Sequence, residues 1–271
     1  MNGRYARIRA RLAQNLFAAD APARRLVAAA RLTPGDLVYD LGAGTGRVTA
    51  ALVAAGARVV AVERDPNLAR KLRARFEGAD VRVVEADLAR VGFAAPYRVV
   101  ANAPFNQTAA LLRRLLFEAP APDVATLVLQ REAAERYAGL RASALSLMAQ
   151  PWFEFAVACP FARRDFVPAP GVDVAVLRIV RRATPLLGEP EATAWRGFVR
   201  TAFARGRPEA RRTFRGVVSN LQWRRLSPDL GIPAGAACGD LTLDQWLGLY
   251  CFVVAHLPPA RRARAFGEPG G

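Results

Sequence analysis

A chain of 271 residues, 52% hydrophobic and without a run of 18 apolar residues, has room for one large α/β domain and a smaller companion; it excludes a disordered chain, a fibre and a membrane-spanning helix. The formal net charge of +16, with Lys71 as the sole lysine, points to a polyanionic partner and to nucleic acid first, because each neutralised phosphate releases counterions. Cys159, Cys238 and Cys251 form no C-x-x-C pair and His256 stands alone, which disfavours a metal site, a disulfide framework and catalysis through a histidine base.

Residues 1–19 read as a basic arm that carries Arg4, Arg7, Arg9 and Arg11 and no acid. Asp20 and Pro22 then start a helix that runs to about Ala30. After the turn Thr33-Pro34-Gly35-Asp36, the apolar run Leu37–Asp40 predicts a buried strand leading straight into Leu41-Gly42-Ala43-Gly44-Thr45-Gly46 and an alanine-rich helix. Strand, glycine turn and helix make a nucleotide-cofactor loop, since glycine allows close backbone approach and a helix N-terminus offers unpaired N–H groups. The spacing is G-x-G-x-G, with Arg47 where the third glycine of the dinucleotide fingerprint would fall, and this argues against an NAD oxidoreductase.

Strands over Arg58–Val62 and Val81–Val84 end in acids. Glu63, 21 residues after Gly42, is placed to accept ribose hydroxyls, and Asp87 to accept from an adenine amino group. A fourth strand, Tyr97–Ala101, delivers Asn102-Ala103-Pro104-Phe105 to the same carboxyl edge. Here an amide oxygen, a carbonyl held extended by the following proline and an aromatic ring make a seat for a planar base. A helix over Thr108–Glu118, a strand over Val124–Gln130 and a helix from Arg131 to about Met148 follow. Strands at Trp152–Ala158 and Val172–Val180 flank a stiff loop that presents Phe166 either to a ligand or to the core.

From Arg181 the βα alternation stops, and the domain division is expected at 1–182 and 183–271. The second part holds Arg205, Arg207, Arg211, Arg212 and Arg215 beside Phe203 and Phe214, a candidate phosphate-contacting patch.

These motifs, taken in order, resemble the S-adenosylmethionine-dependent rRNA adenine-N6 methyltransferases: the Erm resistance enzymes of large-subunit rRNA and the KsgA-type dimethyladenosine transferases of small-subunit rRNA. The resemblance spans about residues 10 to 220. Gln14-Asn15-Leu16-Phe17 is similar to the family's Gln-Asn-Phe-Leu cofactor element, with its last two residues exchanged, so that either Leu16 or Phe17 carries the contact; Phe17 is the residue we assign. Asp40–Gly46 resembles the loop beneath the methionine part of the cofactor, with Gly42 and Gly44 against it. Glu63 and Asp87 match the ribose and adenine acids. Asn102, Ala103 and Phe105 match the catalytic motif, where Asn102 also borders the cofactor. Phe166-Val-Pro-Ala-Pro-Gly-Val-Asp173 is similar to the loop whose Phe helps hold the target adenine.

The resemblance implies a Rossmann-like class I methyltransferase domain with a mostly parallel seven-stranded sheet and a small C-terminal helical domain that binds RNA. It implies a monomer that needs S-adenosyl-L-methionine; the absence of an apolar run or signal-peptide core leads us to expect it in the cytoplasm, and the Cys and His content leads us to expect no metal. Asn106-Gln107-Thr108 after the motif, and Gln150–Phe155 upstream of the Phe166 loop, look more like actinomycete Erm enzymes, hence 23S rRNA, than like KsgA. A DNA adenine methyltransferase and a non-catalytic rRNA assembly factor are the alternatives; the first usually opens its motif with Asp, and intact Asn102 and Phe105 speak against the second.

Overall fold

The computed structural model describes residues 15–102, 104–118, 120–139, 143–204 and 209–267, so Gln14, Ala103, Arg205 and Arg207 lie outside the described residues. The chain falls into two compact units. One holds the described residues up to Glu135 together with Glu154–Arg181; the other holds Arg136–Phe153 and the described residues from Arg182 onward.

The first unit is built on a seven-stranded sheet. Its strands are β2 (Leu37–Leu41), β3 (Arg58–Glu63), β4 (Val81–Glu85), β5 (Arg98–Ala101), β6 (Val124–Gln130), β7 (Phe153–Phe161) and β9 (Val174–Arg181), in the order β4-β3-β2-β5-β6-β9-β7. β4 to β6 pair in parallel across the sheet and β9 runs antiparallel to β6. Central strands of such a sheet are covered on both faces, which is why β2 and β6 read as nearly unbroken apolar runs. Helices α1 (Asp20–Ala30) and α2 (Arg47–Ala54) pack together over one face, where Leu26, Leu52, Val38, Val100, Val128 and Val176 form the core. Each such side chain contributes roughly 1.5–3 kcal/mol on burial. Helix α3 (Pro66–Arg75) starts where Asp65 accepts the amide hydrogens of Asn67 and Leu68 at 2.8 and 3.2 Å, with Pro66 preset for the first turn.

The order reverses between β2 and β5, chain neighbours of different partners. Open α/β sheets bind their ligands at the carboxyl ends of strands on either side of such a reversal. Gly42 and Asn102 directly follow those two strands.

Three elements depart from expectation. The helix over 108–118 is regular only as α4 (Thr108–Arg113) and then widens into a π turn over Arg114–Glu118. The single helix expected from Arg131 to Met148 is two, α5 (Arg131–Tyr137) and α6 (Ala144–Ala149), with Gly139 at φ 100 between them, a conformation that no helix continues through. A two-residue ribbon, β1 (Leu16–Phe17) against β8 (Phe166–Val167), was not foreseen; two residues carry no periodicity to read.

In the second unit, α6 lies against α7 (Ala192–Phe203), where the Trp195 indole donates to the Leu147 carbonyl at 3.2 Å. The unit's core is aromatic. Phe214 stacks on Phe198 at 5.3 Å and on Trp223 at 6.2 Å, and Phe203 stacks on Trp246 at 5.7 Å, so these two phenylalanines serve packing and are not interleaved with surface arginines. Arg211, Arg212 and Arg215 are exposed, and Arg212 pairs with Glu209. Among the described residues no helix is long and apolar enough to cross a membrane.

Candidate active site

The glycine turn leaves β2 with Gly42, Gly44 and Gly46 all at positive φ. Gly44 is the tightest requirement: its φ is +56, and a Cβ there would stand 3.0 Å from Leu16 Cδ2. Its amide hydrogen goes to Glu63 Oε2 at 2.8 Å, while Oε1 of the same carboxylate accepts from the Asp65 amide at 2.8 Å. Glu63 is 3% exposed. One carboxylate thus ties the ends of β2 and β3 together, and its charge is matched by two backbone donors. Below the turn, Asp40 is fully enclosed, accepts the Thr49 hydroxyl at 2.6 Å on Oδ2, and leaves Oδ1 buried without a partner among the described residues. Burial, opposed by the Thr49 hydrogen bond and reinforced by the nearby Glu63 charge, pushes its pKa up to about 7.

Asp87 follows β4 with its side chain 39% exposed. It accepts the Ala89 amide at 2.9 Å, which with Arg64 at 3.4 Å holds its carboxyl below the usual range. The loop after it is pinned from beneath by Arg114, whose guanidinium donates to the carbonyls of Ala89 and Val91.

Asn102 sits half-buried at the end of β5, and its Nδ2 donates to the Asn15 carbonyl at 2.8 Å. A carbonyl can only accept, so the amide must turn its NH2 toward Asn15, which makes Oδ1 the free acceptor. Pro104 is extended (φ −56, ψ 133), and Phe105, half-buried in a 3-10 turn, rests against the edge of the core. The β1–β8 ribbon brings the N-terminal element to this place: Leu16 pairs with Val167 and Phe17 with Phe166. Leu16 faces the glycine turn, whereas Phe17 is 5% exposed and stacked on Phe166 at 5.0 Å. Leu16 thus stands beside the glycine turn, and alternation along the ribbon sends Phe17 to the core. Phe166 likewise turns inward. It is 2% exposed, with Phe161 at 5.8 Å on its other side, and offers no open face to a base. The apolar neighbours on all sides supply the reason: a phenyl ring enclosed by two others is worth more buried than displayed.

The profile of the ribosomal RNA adenine dimethylase family matches residues 5–253. The chain belongs to that family. It is 32% identical over 256 residues to the ribosomal RNA small subunit methyltransferase A of Thermosynechococcus vestitus, covering 90% of this chain and 96% of that one. It is 34% identical over 247 residues to the mycinamicin-resistance protein MyrB of Micromonospora griseorubida, covering 88% and 77%. Among solved structures it superposes on the 23S rRNA methyltransferase ErmE with a TM-score of 0.80 and 30% identity, covering 89% of this chain and all of that one. The protein is therefore an rRNA adenine-N6-methyltransferase with the Rossmann-like fold, and its methyl donor is S-adenosylmethionine.

The site suits that donor. The tight backbone at Gly44, where a Cβ has no room, matches a ligand that comes close to the main chain. In this family member the structure gathers Asn15, Leu16, Gly42, Gly44, Glu63 and Asn102 at one sheet edge, with Asp87 in the loop after β4. Three residues of the site escaped the sequence reading. Thr49 is three residues into a helix and looks like any β-branched residue there. Arg114 reaches back 25 residues to the Asp87 loop, and no local pattern announces it. Asp65 before Pro66 was legible as a helix cap and could have been found.

Proposed function

We propose that this methyltransferase acts on an adenine of naked 23S rRNA, in the cytoplasm and as a monomer, and that the modification confers resistance to macrolide-type antibiotics. The observation that carries this reading is the backbone match to ErmE over the whole of that chain. The similarity to MyrB and the Asn106-Gln107-Thr108 continuation of the motif support it. A second reading, dimethylation of small-subunit rRNA, is favoured by one specific observation: the similarity to the Thermosynechococcus enzyme runs almost end to end.

The proposed chemistry follows from the groups at the edge. N6 of adenine is a poor nucleophile because its lone pair is delocalised into the ring. Asn102 Oδ1 and the Ala103 carbonyl accept the two N6 hydrogens, favour a pyramidal nitrogen and release the lone pair. The bound cofactor supplies an electrophilic methyl group on a sulfonium. Transfer of that methyl would leave the cofactor sulfur neutral, and the methylated N6 would shed its extra proton to water, so no histidine base is needed. Phe105 stacks on the extruded base, a contact worth about 1–3 kcal/mol. Glu63 and Asp87 position the ribose and adenine of the cofactor, and residues 183–271 contact RNA through Arg211, Arg212 and Arg215. Positioning and electrostatics supply the rate.

Naked 23S and 16S rRNA incubated with labelled methyl donor, followed by primer extension, test the choice of substrate. The proposal expects a stop in the peptidyl-transferase region of 23S rRNA. A stop near the 3′ end of 16S rRNA, with none in 23S rRNA, would overturn it in favour of the second reading.

A further inference from the structure

The sheet edge opposite the glycine turn carries a charge imbalance that methyl transfer does not use. Three arginines lie there: Arg31 at the C-terminal cap of α1, Arg98 at the first position of β5, and Arg178 in β9. The register sets Arg98 beside Val124, and Val124 beside Val180, so Arg98 and Arg178, two residues before Val180, share one face of the sheet. That is the face on which α1 packs against β5, β6 and β9.

Arg98 is held in place. Its Nε pairs with Asp36 at 2.9 Å and its Nη1 donates to the Arg31 carbonyl at 3.3 Å. Asp36 is occupied further by the Thr33 amide at 2.7 Å. Arg178 is half-buried, and its Nε is shut away from solvent with no hydrogen-bond partner among the described residues. Among the described residues, the charged groups that act on it are Arg31 and Arg98, both cations. Asp123, at the start of β6, falls on the opposite parity and acts on Tyr97 instead. Among the described residues the edge thus sets three cations against the Asp36 carboxylate, and the C-terminal carbonyls of α1 add only about half a negative charge. Guanidinium forks with open Nη donors match the oxygens of a phosphate in geometry as well as in charge.

We propose that Arg31, Arg98 and Arg178 form a phosphate-binding site on the edge of the sheet opposite the methyl-transfer site, with Arg31 and Arg178 contacting the ligand and Arg98 setting their spacing. The ligand is a phosphate group, either a phosphodiester of the RNA substrate or free phosphate. The site does not depend on which rRNA is methylated.

Thermal unfolding of the full chain in sodium phosphate, against sodium chloride at equal ionic strength, tests it. The wild type gains a Tm increase that saturates with phosphate, and Arg31→Gln/Arg178→Gln loses that increase. An equal response of the double variant and the wild type would overturn the proposal, because the basic surface elsewhere would then account for the effect. Should the double variant fail to fold, Arg31→Gln, whose side chain is exposed, is expected to weaken the phosphate response by itself, and an undiminished response would reject the site. Binding of a naked rRNA fragment across salt concentrations then assigns the source. For a phosphodiester the slope of log K against log salt falls by about 0.7–0.9 per arginine removed. An unchanged slope, with the phosphate response present, assigns the site to free phosphate.

Discussion

Asp40 makes the glycine turn after β2 sensitive to pH in a direction opposite to that of an ordinary paired carboxylate. Its pKa rises from an ordinary 3.8 to about 7 on folding, chiefly through burial. A carboxyl whose folded value is raised stabilises the fold fully below its unfolded value, and that contribution is lost as pH climbs through the folded one. The shift of about three units corresponds to roughly 4 kcal/mol, of which about 3 kcal/mol is lost between pH 5 and pH 8. Asp40→Asn keeps an acceptor for the Thr49 hydroxyl and removes the ionisation. The variant should therefore gain stability relative to the wild type as pH rises from 5 to 8, by about that amount. All four tryptophans lie in the other unit, so fluorescence would miss the change. Hydrogen exchange of β2 and α2 peptides, corrected for the intrinsic rate at each pH, reads the opening free energy where it matters. Parallel pH profiles for variant and wild type would refute the reasoning, because Asp40 would then be ionised without cost in its enclosed position.

Other substitutions separate packing from chemistry. Phe166→Ala should destabilise the first unit by about 3–5 kcal/mol, as for a phenylalanine removed from a core; a fold of wild-type stability that has lost only activity would return Phe166 to the target base. Gly44→Ala should weaken cofactor affinity at least tenfold in equilibrium binding, since the added methyl enters the cradle and meets Leu16 at 3.0 Å; unchanged affinity would place the cofactor elsewhere. Leu16→Ala should weaken the same affinity more than Phe17→Leu does, and the reverse order would restore Phe17 as the contact. Phe105→Ala should lower methyl transfer severalfold with the unfolding midpoint nearly unchanged, and a wild-type rate would leave the ring a packing role alone.

Much of this was written in the sequence, and the exceptions have physical causes. The strands beginning at Leu37 and Val124 appear where their apolar runs place them, because a doubly covered strand admits few polar residues, and those beginning at Arg58 and Val81 appear where expected as well. Glu63 and Asn102 were legible because the strand ends fix their positions. Phe17 and Phe166 were not: a phenylalanine in a motif reads the same whether it faces a ligand or the core, and the β1–β8 ribbon that turns both inward is a contact between residues about 150 positions apart. The break after Tyr137 went unseen because Gly139 within an otherwise helical pattern is tolerated as often as it interrupts. Asp40 was recognised as part of the loop, but its isolation from solvent depends on Thr49 and on the packing of α2, which no spacing encodes.

The central claim is that Asn102, oriented by the Asn15 carbonyl, presents its amide oxygen to the adenine N6. The most direct test is Asn102→Ala, measured for equilibrium binding of S-adenosylmethionine and for single-turnover transfer of labelled methyl to naked rRNA. Cofactor affinity should stay within a few-fold of the wild type while transfer falls by at least about a hundredfold, the usual loss when one preorganised polar group is removed from a transition state. Transfer at the wild-type rate would contradict the account.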